Sequence, residues 1–245
     1  MRETIHGHEG YSTNLRLSSS ELEAVRTMIR NQWLKTIQEE APSVATFFQD
    51  SDLANYHQHA HHLDHAHMWG KHARILPSTD ISAIRSMSFF KKLEAEFGAI
   101  EVTDEEEVGR EEFYWRLVRP KERGDIGPVH ADSWFWELDQ RKATMIPDHK
   151  ERIKVWIAIY CEQGQNGLLI KKGSHLERYP RKGTKVGNTV KPVIQVAEED
   201  LDMDLFQSKP GDAIVFHDNL LHGGALNNGN MTRVSLEFTM IVDRH

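Results

Sequence analysis

The chain has 245 residues, 39% of them hydrophobic and 27% charged, and its formal net charge is -7. That length buries a core without disulfides, and the lone cysteine, Cys161, excludes an internal disulfide and a cysteine-rich zinc site. The acidic balance argues against nucleic acid as a partner, the most apolar run, 155–161, is too short to span a bilayer, and MRETIHGHEG has no apolar leader, so the expectation is a cytoplasmic protein without a transmembrane segment.

Ser18 followed by Glu21 predicts a capping box at a helix start. Leu22, Val25, Met28, Ile29, Trp33 and Ile37 then recur at helical spacing, and Pro42 lies just past the end. A second helical region is expected over about 51–76, stopped by Pro77. A third runs from Thr79 or Asp80 to just before Gly98. The acidic stretch 101–112 reads as a solvated loop or edge. Beyond it the pattern turns to strands: 113–119, 154–160, 167–170, 193–196, 212–217 and 233–242, punctuated by Gly, Pro and Asn. The predicted fold is one domain over 1–245, mainly β with flanking helices. A helical preface covers about 1–100 and a jelly-roll core about 110–243.

Histidine is the one excess, at 15 residues, and seven of them fall within 57–72. His57, His61 and His65 are spaced to share a helix face, although a polar helix surface is the plainer reading. His62-x-Asp64 is a poor chelate on a helix, where residues two apart point away from each other. His130-Ala131-Asp132 differs, because its surroundings read as strand and residues two apart on a strand face one side. His217 and His222 follow later in DAIVFHDNLLHGG. Two histidines and a carboxylate make the facial triad of non-haem iron oxygenases, which leaves coordination positions open. His130, Asp132 and one later histidine supply such a set.

Arg233 stands eleven positions after His222, beyond the Gly/Asn-rich turn GGALNNGNMT. The two residues can therefore sit on neighbouring strands facing a barrel interior. A buried arginine there needs an anion, and a carboxylate suits its fork.

The second half of the chain resembles the phytanoyl-CoA dioxygenase-like family of Fe(II)/2-oxoglutarate-dependent oxygenases. The likeness rests on His130-x-Asp132, on NGLLIKKGSH (166–175), and on PGDAIVFHDNLLHGG followed by Arg233. It covers roughly 113–242 and, more weakly, the helical preface. Lys172 departs from the pattern, since the family often has proline there. The resemblance implies a cupin-like double-stranded β-helix core. It also implies that His130, Asp132 and His222, rather than His217, hold Fe(II), and that His175 is not a ligand. Arg233 would clamp the distal carboxylate of 2-oxoglutarate, with Arg116 or Tyr114 as a second contact. O2 is the other co-substrate. Family members that halogenate lack the carboxylate ligand, so Asp132 favours hydroxylation of an unactivated C–H, with desaturation or ring closure left open.

Trp134 and Trp136 follow Asp132 at period two and are candidates for a substrate wall or for core. Lys171, Lys172, Arg178, Arg181, Lys182, Lys185 and Lys191 make the GSH region basic, and Arg119 precedes the H-x-D, so an anionic substrate is expected. The wording from Arg119 through GPVHADSWFWEL resembles hydroxylases of 3-deoxy-D-manno-octulosonic acid (Kdo), the acidic sugar of lipopolysaccharide. The expected partner is a small molecule or sugar, free or lipid-linked. Two other readings make different demands. A metal-binding or sensor protein would depend on the 57–72 histidines. A metal-dependent hydrolase or lyase on a cupin-like barrel would need neither O2 nor 2-oxoglutarate, and would give Arg233 no defined job.

Overall fold

The computed structural model describes residues 1–138, 146–186 and 189–244. The chain opens with a short helix α1 (Arg2–His6) and a strand β1 (Tyr11–Arg16), neither of which the sequence pattern announces. The long helix α2 (Ser19–Glu40) begins at the expected capping box: Ser18 accepts from the Glu21 amide, and Glu21 accepts from the Ser18 amide. Its buried positions, Leu22, Val25, Ile29, Trp33 and Ile37, form one apolar stripe.

The region 51–76 is not one helix. It consists of single turns separated by breaks, including α3 (Thr46–Gln49) just upstream, α4 (Tyr56–His59) and α5 (His65–Met68), with 3₁₀ turns at Leu53–Asn55, Ala60–His62 and His72–Arg74. Asp52 and Asp64 each cap a fresh turn, and Leu63 is extended (φ -123, ψ 149). His57, His61 and His65 therefore share no helix face: His57 bonds Thr232, whereas His65 bonds Tyr56 and pairs with Asp125. The third predicted helix is two, α6 (Ser78–Ser86) and α7 (Ser88–Phe97), broken at Met87.

The acidic stretch is less solvated than expected. It contains β2 (Glu101–Val102), and Lys71 draws Glu105, Glu106 and Glu112 around itself at 3.1, 3.2 and 2.9 Å. Glu112 is buried. Then follow β3 (Tyr114–Val118), α8 (Ser133–Leu138), β4 (Lys150–Tyr160), β5 (Leu168–Ile170), β6 (Arg181–Val186), β7 (Thr189–Ile194), β8 (Asp204–Leu205), β9 (Asp212–His217), β10 (His222–Gly224) and β11 (Arg233–Asp243).

The large sheet runs β1-β9-β4-β11-β2, and β3 also pairs with β11. The pairs are antiparallel. A smaller sheet, β10-β5-β8, lies across it, and β6-β7 is a separate hairpin. The fold is mainly β with a helical layer, as the sequence predicts. One face of the large sheet, with Val155, Ile157, Val234, Leu236, Phe238 and Met240, packs against α2, α6 and α7 in the main core. The other face meets β5 through Trp156, Ala158, Leu168, Ile170, Ile214 and Phe216. Among the described residues, no helix is long and apolar enough to cross a membrane.

Candidate active site

β11 alternates by the period of two that any strand imposes. Its outward positions enter the helix-facing core, while Arg233, Ser235, Glu237 and Thr239 point between the sheets and are also buried. β4 does the same with Lys154 and Trp156. A polar pocket results at one end of an apolar interior. Tyr114, Arg116, His130, Asp132, Lys154, Trp156, His222, Arg233 and Glu237 all line it.

His130 and His222 meet through a reciprocal backbone bridge, each amide donating to the other's carbonyl at 2.9 Å. The close approach explains the glycines after His222, because a Cβ at Gly223 would lie 3.2 Å from Val129. Asp132 is not on a strand, as its spacing suggested. The chain turns there, and α8 starts at the next residue, with the Ser133 amide held by the Asp218 carbonyl at 3.0 Å. The carboxylate still reaches the pair: Asp132 Oδ1 lies 3.5 Å from His130 Nε2 and 3.7 Å from His222 Nε2.

The ring orientations follow from hydrogen bonding. His130 Nδ1 donates to Pro128 O at 2.8 Å, and His222 Nδ1 to Leu220 O at 2.9 Å. A carbonyl only accepts, so Nδ1 carries the proton and the Nε2 lone pairs face Asp132. Burial, then the neighbouring His130, push the His222 imidazole down to about 4, which keeps it neutral. Burial would raise the Asp132 carboxyl, yet the Lys154 ammonium and the two histidines outweigh it and hold the group below the usual carboxylate range. These are two imidazoles and a carboxylate whose ligand atoms all lie within 4.8 Å of one another. Borderline divalent metals favour this donor set.

Arg233 is buried, its Nε has no hydrogen-bond partner, and no carboxylate among the described residues pairs with it. Burial lowers its guanidinium to about 10. A buried, uncompensated fork of this kind fits a small carboxylate ligand. Tyr114 and Arg116 line the same pocket but are already engaged: Tyr114 Oη donates to Glu237 at 2.9 Å, and Arg116 Nε lies 3.4 Å from it. Burial would raise Glu237, but Arg116 and Lys154 bring it down to about 2.

Sequence reasoning missed Lys154 and Glu237. Lys154 Nζ is buried, donates to Tyr114 Oη at 3.0 Å, and lies 3.7 Å from Asp132 Oδ2. Burial would lower this ammonium, but Asp132, Tyr114, Glu105 and Glu237 keep it well above its ordinary value. The signal was legible as a lone charge inside each of two apolar strand runs, KVWIAIY and VSLEFTM.

The expected substrate contacts fare differently. Trp134 and Trp136 lie on α8, so the period-two argument for a shared inward face does not hold. Both are buried, Trp134 under the Arg181 guanidinium at 5.1 Å and Trp136 under Arg152 at 4.2 Å. Arg119 is held bidentately by Asp125 at 2.8 Å, and Lys172 pairs with Glu9 at 2.6 Å. Neither is a free cation facing the triad. Trp134, Glu137, Arg178, Tyr179, Arg181 and Asn219 line a separate cleft of about 420 Å³ beside α8. His217 faces away from the triad, towards His6 and Glu151.

Comparison with known proteins agrees with this architecture. The phytanoyl-CoA dioxygenase (PhyH) family profile matches residues 16–235. None of the curated proteins matches this chain. Among solved structures, the non-heme monooxygenase ThoJ superposes with a TM-score of 0.58 at 13% identity, covering 96% of this chain and 75% of that one. EvdO2 from Micromonospora carbonacea var. aurantiaca gives 0.57 at 15% identity, covering 99% and 89%, and is also known complexed with 2-oxoglutarate. The epimerase SnoN, in complex with Fe3+, alpha ketoglutarate and nogalamycin RO, gives 0.53 at 13%, covering 96% and 80%. At such identities the structural likeness concerns the fold. With the profile match spanning most of its length, the chain belongs to the phytanoyl-CoA dioxygenase family of iron- and 2-oxoglutarate-dependent oxygenases.

Proposed function

We propose that this protein is an Fe(II)- and 2-oxoglutarate-dependent dioxygenase that hydroxylates an unactivated C–H of a polar, anionic small molecule or sugar. The observation that carries the reading is the juxtaposition of the His130–Asp132–His222 face with the unpaired, buried Arg233 in one pocket. EvdO2 and SnoN, which share the fold, are described with 2-oxoglutarate, and SnoN with iron as well.

His130, Asp132 and His222 would hold the iron, and Arg233 the distal carboxylate of 2-oxoglutarate. When bound, the metal and its co-substrate supply oxygen activation, with oxidative decarboxylation of 2-oxoglutarate to succinate providing the electrons. The protein's own part is preorganisation. The Pro128 and Leu220 carbonyls lock the two imidazoles with Nε2 inward. Lys154 faces Asp132 Oδ2, leaving Oδ1 for the metal side. Trp156, with its ring 5.8 Å from the Arg233 guanidinium, would form an apolar wall beside the carboxylate clamp. Glu237 pairs with Arg116 and also lies in the field of Lys154 and Arg233, but forms no ion pair with Arg233, whose fork is left for an anion.

For the substrate, the cleft beside α8 supports a polar molecule: it is lined by Tyr179, by Glu137 and Glu177, and by Arg178, which enters no ion pair among the described residues. Kdo-containing acceptors are the first to screen, on the sequence resemblance around the H-x-D.

The test is anaerobic addition of Fe(II) and 2-oxoglutarate to metal-free protein. The expected result is a weak visible charge-transfer band in wild type that disappears in His222→Ala and fades in Arg233→Ala. Folded, iron-loaded wild type without that band would remove the co-substrate assignment. Succinate formation with O2 but independent of any acceptor would leave the co-substrate in place and reject only the acceptor under test.

A further inference from the structure

A second group of metal-type side chains lies outside the pocket. His6, at the end of α1, Glu151, near the start of β4, and His217, at the end of β9, each bring one ligand atom within 4.8 Å of the others. His6 Nε2 already touches Glu151 Oε1 at 3.0 Å. The His6 and His217 rings meet edge to face at 5.6 Å. A fourth group stands beside them. The His175 ring is 5.3 Å from that of His217, and both of its ring nitrogens are buried, with the Gly7 backbone as a hydrogen-bonding neighbour.

We propose that His6, Glu151 and His217 form a zinc site, with the remaining position open to water, that pins the N-terminal segment to the large sheet. Zinc fits the donors: two imidazole nitrogens and one carboxylate are ligands that it takes in four-coordinate sites with a water. In such a site the ligand atoms stand about 3.3 Å apart, so side-chain rotations of about an ångström would close the cluster. Arg2 is the nearest competing cation, 3.7 Å from Glu151 Oε1, but its guanidinium is committed at 2.6 Å to the Asp243 carbonyl and at 3.2 Å to that of Phe97. Glu151 thus keeps a carboxylate edge for a metal. The pairing is also topologically meaningful. α1 is joined to the sheet next to β1, and β1 pairs with β9 from Tyr11 to Arg16. A metal here would fix the outer end of that edge, alongside the loop that leads from His217 to His222.

The site is separable from the oxygenase pocket, and the test uses that. Untagged, chelator-stripped His130→Ala/His222→Ala protein, which lacks the first site, is titrated with zinc and followed by calorimetry and thermal unfolding. The expected result is about one equivalent bound with Kd below about 1 µM and a rise in Tm. Adding His6→Gln, an exposed position at a helix end, should leave the zinc-free Tm unchanged and abolish both the binding and the zinc-dependent rise. His217→Gln should do the same to the binding. His61→Gln/His62→Gln, placed on the exposed histidine-rich segment, should change neither. Absence of micromolar binding in the parent double variant would overturn the proposal. So would binding that survives His6→Gln and His217→Gln, or binding that His61→Gln/His62→Gln removes.

Discussion

The two faces of β11 are buried alike and built from opposite materials. Val234, Leu236, Phe238, Met240 and Val242 belong to the helix-facing core, whereas Arg233, Ser235, Glu237 and Thr239 are buried polar side chains between the sheets. One strand therefore supplies the apolar core with one half of its residues and the candidate site with the other. The apolar face gains free energy for each area of surface removed from water. The polar face keeps charges buried, which costs free energy unless each has a partner. Among the described residues, Arg233 forms no ion pair, and its Nε has no hydrogen-bond partner.

Single substitutions on the two faces should therefore fail in different ways. Phe238→Ala removes a ring stacked 4.3 Å from Phe113, and should cost about 3–5 kcal/mol of unfolding free energy. Denaturant unfolding would measure this, and at low temperature the surviving folded protein should still give the anaerobic 2-oxoglutarate band. Arg233→Ala should do the reverse. Binding of 2-oxoglutarate should weaken on the order of 100-fold, with a Tm equal to or above that of wild type because an uncompensated buried charge is gone. A large loss of Tm in Arg233→Ala would erase the contrast between the faces.

Lys154→Met sharpens the comparison on β4. Removing the cation beside Asp132 should weaken metal binding about 10- to 100-fold. Lys154→Arg should recover part of it, and titration with Co(II) in the absence of turnover would read both. The smallest effect belongs to the helical layer. Ser18→Ala should cost about 1 kcal/mol.

Glu21, in the same capping box, would rise with burial but is brought down to about 2 by its bonds to Phe89, Ser18 and Ser88. Its folded-state value lies below the unfolded one. Its contribution is therefore complete above about pH 4.5 and is lost as pH falls towards 2. Glu21→Gln should flatten that part of the stability curve, and acid unfolding compared between the two proteins measures it.

The sequence carried the β core because strand composition and turn residues are local signals: 212–217 and 233–242 match β9 and β11 to within a residue. The α2 capping box was equally local. The histidine-rich region misled, since seven similar side chains hide the two aspartates that restart the chain. The fourfold spacing of His57, His61 and His65 carries no meaning once Leu63 is extended. At the site, the H-x-D motif named residues that do converge with His222, although the strand geometry invoked for it is absent and a turn brings Asp132 in. Lys154 and Glu237 escaped because a lone charge in an apolar strand run marks an unusual position without showing that it is buried between two sheets. Arg119 and Lys172 illustrate the converse, since a cation in a basic run can be neutralised by Asp125 or Glu9 from elsewhere.

The pairing of β11 has a further consequence, for the order in which the fold can be made. This strand is the hub of the large sheet, with β4 on one side and β3 and β2 on the other, yet it is translated after all of them. β1, near the start, must likewise wait for β9. Until the segment from 233 onward emerges, β4 and β3 present unpaired hydrogen-bonding edges and an apolar face to solvent. Pairings of such long sequence separation close slowly. The nascent chain is thus expected to complete its sheet after synthesis rather than during it. Its most aggregation-prone interval is the delay before β11 docks.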